Sequence, residues 1–159
     1  MLPNGLQFSV HSAPRAFARE LAQVLPGVAD PGSLLIVPTC QRAAMDLVAT
    51  GPDVAAEKDA LLERFARWAS AVCEALSARG HWGDYVDPCS GYAMRTPNAR
   101  AVYPEVDAAE TLLRYRTADA GGCRVLSHPQ WGTAVYPASV FARAPLEVLL
   151  EVVREAGER

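Results

Sequence analysis

The stretch GGCRVLSHPQWGT at 121–133 gathers the side chains best suited to chemistry: the Cys123 thiol directly behind Gly121 and Gly122, then Arg124, His128 and Trp131. A thiolate can exchange with a disulfide, attack an electrophile or bind a soft metal. Two glycines ahead of it remove side-chain bulk and open backbone dihedrals closed to other residues, so the chain there can turn tightly or come close to a ligand. His128 can donate a hydrogen bond, ligate a metal or sit satisfied in a core. Trp131 can anchor a turn or stack on a ligand ring.

The other candidates group less well. Cys40, Cys73 and Cys89 are widely spread, with no CxxC and no His-rich tract, so neither a zinc site nor a dithiol redox motif is written locally. Cys73 falls on an apolar helical stripe and reads as a buried structural thiol; Cys89 falls in a turn and reads as exposed. A thiol-dependent redox role for Cys123 or Cys89 would need two exposed thiols within disulfide reach. Asp84 and Asp87 are of the acid–base type, but Asp87 before a proline is explained by a turn and neither has an evident partner. No GxGxxG or GxxxxGK[ST] loop follows a strand. No catalytic constellation results.

The elements that must position these groups follow from periodicity. LQFSVHS at 6–12 alternates as a half-buried strand; residues 14–25 carry a helical pattern; LLIVP at 34–38 is a continuous apolar run, as expected of a central strand. Residues 39–51 have no clear period, with DLVAT at 46–50 open as a short strand. From Asp53 to Gly80, Leu61, Leu62, Phe65, Trp68, Val72, Cys73 and Leu76 mark one long helix. Short strands at 84–86 and 92–95 flank the turn DPCSG, and 107–116 reads as a helix capped by Asp107. Strands at 124–129 and 133–143 are expected to pair as a hairpin, with Pro137 at an edge or bulge, before a closing helix behind Pro145. Hairpins among the strands favour an α+β fold with a mainly antiparallel sheet flanked by helices.

At 159 residues and 50% hydrophobic the chain has the size of one domain, able to bury roughly 70% of its unfolded surface. Fifteen basic against 18 acidic residues, without a basic cluster, argue against nucleic acid as a partner. No apolar run approaches the length of a membrane span and no secretory pattern opens the chain, so membrane association is not expected and a cytoplasmic location is.

Two stretches together, HWGDYVDPCSGYAMRTP at 81–97 and LLRYRTADAGGCRVLSHPQWGTAVYPASVF at 112–141, resemble the CblD family, the methylmalonic aciduria and homocystinuria type D proteins. The first matches a WxDϕϕDPxSG element through Trp82, Asp84, Asp87, Pro88, Ser90 and Gly91; the second matches a strand leading into WGT through Arg124, Val125, His128, Trp131, Gly132 and Thr133. The resemblance is strongest over 34–144, within one CblD-like domain at 1–159.

The resemblance implies a fold similar to flavin-dependent nitroreductases and flavin reductases. It also implies a non-catalytic cobalamin-trafficking adaptor that docks on a CblC-type cobalamin-processing protein and directs cofactor to enzymes such as methionine synthase or methylmalonyl-CoA mutase. The long N-terminal extension of the animal proteins is not expected, since fold signals begin at Leu6. Cobalamin is shared with the partner, and FMN is not expected. The rival reading is an FMN-dependent nitroreductase-like oxidoreductase.

By the same resemblance, a cysteine at the start of this strand coordinates the cobalt, so Cys123 is the candidate metal ligand. Gly121, Gly122, Arg124, His128 and Trp131 then belong to the cofactor-facing surface, with Arg124 and the metal favouring the thiolate. Many family members carry Cys-Cys here, and the first of the pair corresponds to Gly122. If the strand already runs straight at 122, Cys123 faces the core; if Gly121 and Gly122 turn the chain, Cys123 can take over the role.

Overall fold

The structure, a computed structural model, describes residues 1–159. Its frame is an antiparallel sheet in the order β1-β3-β7-β4, with β2 also on β3: β1 is Leu6–Phe8, β2 His11–Ser12, β3 Leu35–Arg42, β4 Trp82–Tyr85 and β7 Val135–Arg143. β1 and β2 share one register on β3, and the gap at residues 9 and 10 stands opposite Pro38 and Val37. Pro38 has no N–H to give, so the expected strand at 6–12 is present but broken in its ladder.

Alternation along β3 and β7 sends side chains to two layers. On one side Val37, Ala138, Val140 and Ala142 meet α2 (Pro52–Ala78) and α4 (Leu146–Gly157) through Phe65, Val72, Leu76, Leu149 and Val152. Pro52 sits in the first turn of α2, where a missing N–H costs nothing, and the helix stops before Gly80 at φ +80°. Its buried residues repeat the stripe read from the sequence, Cys73 included. On the other side Ile36 and Phe141 pack with Leu21 of α1 (Ala18–Val24), Leu25, Tyr103 and Ala108 of α3 (Glu105–Leu113). Each large side chain so buried contributes about 1.5–3 kcal/mol, and β3, buried on both faces from Ile36 to Gln41, is the central strand that 34–38 announced. Gln41 is fully buried, with its amide donating to the Leu61 carbonyl at 2.8 Å.

Four expectations are corrected. The strand at 124–129 does not pair with 133–143. Instead β6 (Cys123–Ser127) pairs with β5 (Arg116–Ala120) in a separate two-stranded sheet, while β7 joins the main sheet between β3 and β4. The helix expected at 107–116 ends at Leu113, and Arg114 at φ +57° closes it, which releases β5. Asp107 is not its cap; Pro104 holds that place. The strand at 92–95 shrinks to one bridge, Val86 with Ala93, and 46–50 is turn. Pro137 sits on β7 beyond Val140, the last residue that β4 pairs, so it occupies a local edge as its chemistry requires. No helix is long and apolar enough to cross a membrane.

Candidate functional site

Gly121 and Gly122 have φ of +58° and +84° and join β5 to β6 with Ala120 opposite Cys123. Two consecutive positive φ values in a two-residue loop are the hairpin turn whose twist matches the strands, and only residues such as glycine adopt it freely. The chain therefore turns at 121–122, and β6 begins at Cys123.

Period-2 alternation assigns the faces of this hairpin. Leu126 is buried against Cys40, Ala109 and Val135, and Arg124 on the same face donates to Asp107, to Glu110 at 2.8 Å and to Thr117 at 2.9 Å. That face lies on α3. Cys123 belongs to the opposite face and is exposed, as are both glycines. The guanidinium that stood next to the thiol in sequence is thus turned away from it and engaged by two carboxylates; hydrogen bonds from the Thr117 hydroxyl and then from Arg124 hold Glu110 below the usual carboxylate range.

His128 and Trp131 sit at the base of β6. The imidazole is 4% exposed; its Nδ1 accepts from the Gln130 and Trp131 amides at 3.1 and 3.2 Å, so the ring proton resides on Nε2 and donates to Gln7 Oε1 at 2.8 Å. Burial lowers its pKa, and Trp131 stacks on it with centroids 4.0 Å apart and planes 9° from parallel. Both nitrogens are thereby engaged within the chain. Gly132 at φ +58° bridges back to His128, and the Thr133 hydroxyl donates to Asp46 at 2.8 Å, so the WGT triplet closes the turn.

The other motif is loop architecture. Asp84 is fully buried and accepts N–H bonds from Tyr85, Arg95 and Thr96 at 2.6–2.9 Å as well as the Thr96 hydroxyl at 2.5 Å. Asp87 accepts from the Cys89 and Ser90 amides at 3.2 and 3.3 Å. Gly91 has φ +79°, and a Cβ there would meet Val102 at 2.5 Å. Cys89 is exposed at the tip, while burial pushes the Cys40 and Cys73 thiols up to about 12. All four cysteines are free, and nowhere do three His, Cys, Asp or Glu side chains gather around a point that could hold an ion.

Sequence reasoning missed two contributors: the Asp107 and Glu110 clamp on Arg124, whose only trace was a charged helix upstream of a basic strand, and the half-buried Glu105–Ser139 pair, which left no local trace.

The chain is similar to proteins named cobalamin trafficking protein CblD: 32% identical to those of Rattus norvegicus and Homo sapiens and 28% to that of Gallus gallus, in each case over 139 residues, 87% of this chain and 47% of the relative. It therefore spans about half the length of the curated relatives it matches. A family model, methylmalonic aciduria and homocystinuria type D protein, matches residues 3–152. With the turn, the WGT closure and the Asp84 loop all falling inside that match, the chain belongs to the methylmalonic aciduria and homocystinuria type D protein family.

Proposed function

We propose that the chain handles cobalamin as a trafficking adaptor, not as a catalyst. It docks on a CblC-type processing protein and presents the Cys123 thiolate to the cobalt, then helps direct the cofactor to enzymes such as methionine synthase or methylmalonyl-CoA mutase. The antiparallel sheet with its flanking helices serves here as a nitroreductase-like scaffold without flavin chemistry. The observation that carries the reading is the exposed Cys123 thiol at the tip of a glycine turn in a chain of this family.

The residues fit such a ligand. A soft thiolate suits a transition metal, and with no other His, Cys, Asp or Glu cluster at hand it can supply one ligand only, the demand of a metal already held in a macrocycle. Gly121, Gly122 and Ala120 keep bulk off the tip, so a flat ring system can approach. Arg124, through α3, fixes the ribbon that carries the thiol, and the His128–Trp131 stack fixes its base. Coordination takes the thiolate and so releases a proton.

The test is the visible spectrum of cobalamin held by a CblC-type partner, titrated with wild type and with Cys123→Ala. A spectral change with wild type that the variant lacks is expected. The same change with both proteins would remove Cys123 from the cobalt, and failure of either to form a complex would remove the adaptor reading itself.

A further inference from the structure

A cleft of about 280 Å³ opens where β4 gives way to the loop at 87–91, between that loop, the start of α3 and the start of β7. Val102, Val106 and Pro137 give it apolar walls, and no Lys, Arg or His lines it. Glu105 lines it too: its carboxyl accepts from the Ser139 hydroxyl and forms no ion pair in the chain. Tyr103, 3% exposed and also in the lining, has an Oη with no hydrogen-bond partner; Ser139 stands near it but outside bonding geometry. The charged groups that act on its two phenols from other elements are acidic, Glu20 of α1 on Tyr103 and Asp59 of α2 and Asp87 of the loop on Tyr136; the nearest cations, Lys58 of α2 and Arg124 of β6, line the adjoining hollow beyond Val106, Tyr136 and Pro137, and Arg124 is paired there with Asp107 and Glu110.

A carboxyl desolvated without a cation, beside a phenol that lacks a partner, is an incomplete arrangement. We propose that this cleft binds a cation on an apolar stem, an alkylammonium or alkylguanidinium group, with Glu105 as its counter-ion and Tyr103 Oη as a second acceptor. The stem lies along Val102, Val106 and Pro137, in a space that admits a chain of about four carbons, the length of a lysine stem. The N-terminal end of α3, where Glu105 is the first residue, favours the carboxylate that the cation needs. The inference uses no property of Cys123, so it stands or falls apart from the cobalt reading. A basic side chain of a partner protein and a free alkylamine share this chemistry.

The experiment is an NMR titration of the ¹⁵N-labelled chain with n-butylammonium, n-butyramide as a neutral probe of similar shape, and the tripeptide Gly-Lys-Gly, reading the Gly91 and Val106 amides. Saturable shifts are expected with a cation, at least about tenfold weaker with the amide, and lost or weakened about tenfold in Glu105→Gln. Binding should tighten about tenfold from about pH 6 to about pH 8, because Glu105, pushed up to about 7 by burial, ionises across that range. Burial raises the Cys40, Tyr103 and Tyr136 groups further above that range. Preference for Gly-Lys-Gly assigns the site to a partner's side chain, and preference for butylammonium to a free amine. If Glu105→Gln fails to fold, Tyr103→Phe decides, weakened binding supporting the site and unchanged binding refuting it. Equal affinity for the amide, or a folded Glu105→Gln variant that binds as wild type does, overturns the proposal.

Discussion

Replacing Glu105 by glutamine isolates the cost of keeping a carboxylate in the α3–β7 seam. The group keeps part of its surface open, yet enough protein surrounds its carboxyl for desolvation to push it from the ordinary 4.5 up to about 7, against the partial relief of the Ser139 hydroxyl. Between those values the folded chain holds a proton that the unfolded chain has lost. The resulting stability is fully present below 4.5 and is lost as pH rises through about 7. Roughly 2.5 pH units at about 1.36 kcal/mol each give about 3 kcal/mol, with about 2 kcal/mol retained after solvent access at the cleft.

Glutamine is neutral at every pH and keeps an acceptor for Ser139. It forgoes a charge at a helix N-terminus worth about 0.3–1 kcal/mol, less than the desolvation it removes. Urea unfolding followed by the fluorescence of buried Trp68 should therefore show the variant about as stable as wild type near about pH 4 and about 1–2 kcal/mol more stable near about pH 8.5. A gap between the two proteins that does not change with pH would refute the reasoning.

Further perturbations separate scaffold from site. Asp84→Ala strands three buried or half-buried amides and should cost about 3 kcal/mol or more in urea unfolding; a loss below about 1 kcal/mol would mean the 93–97 loop finds other acceptors. Gly122→Val forces a β-branched residue to φ +84° and should cost about 1–2 kcal/mol locally, seen as faster amide exchange at 116–127 with little change in the global melting temperature. Arg124→Ala should also speed exchange in β5 and β6 while leaving the α2 amides protected; equal loss in both would show the clamp to be part of the core. Burial depresses His128, so its share of stability is present above its unfolded value of 6.5 and is lost as pH falls through the lower folded one. His128→Gln should flatten that acid limb of the unfolding curve.

The main layers were legible because their elements carry apolar residues in recognisable patterns, a helical stripe in α2 from Val54 to Leu76 and an unbroken apolar run in β3 from Leu35 to Pro38. The hairpin partner was not. Residues 115–120 read YRTADA, with little apolar alternation because only the face toward α3 is covered, and the helix pattern before them ran on without a visible stop; the stop is Arg114 at φ +57°, a conformation no residue type there announced. Of the candidate site, the turn chemistry of Gly121 and Gly122 was written in the sequence, whereas the direction of Arg124 depends on where α3 settles. Glu105 was invisible for the same reason: burial of an acid is set by β7 and the loop at 87–91, elements far from it along the chain.

The β5–β6 ribbon lies outside the five-stranded ladder, so its tip answers to different demands from the sheet's. A residue exchanged at 123 is met by solvent and by whatever docks, and leaves the packing of Phe141 or Val140 untouched. Mutations at 123 are thereby released from the stability threshold that disciplines the core. The side chain at 123 can therefore be chosen for what it meets outside the chain, while the two glycines before it hold the shape of the turn.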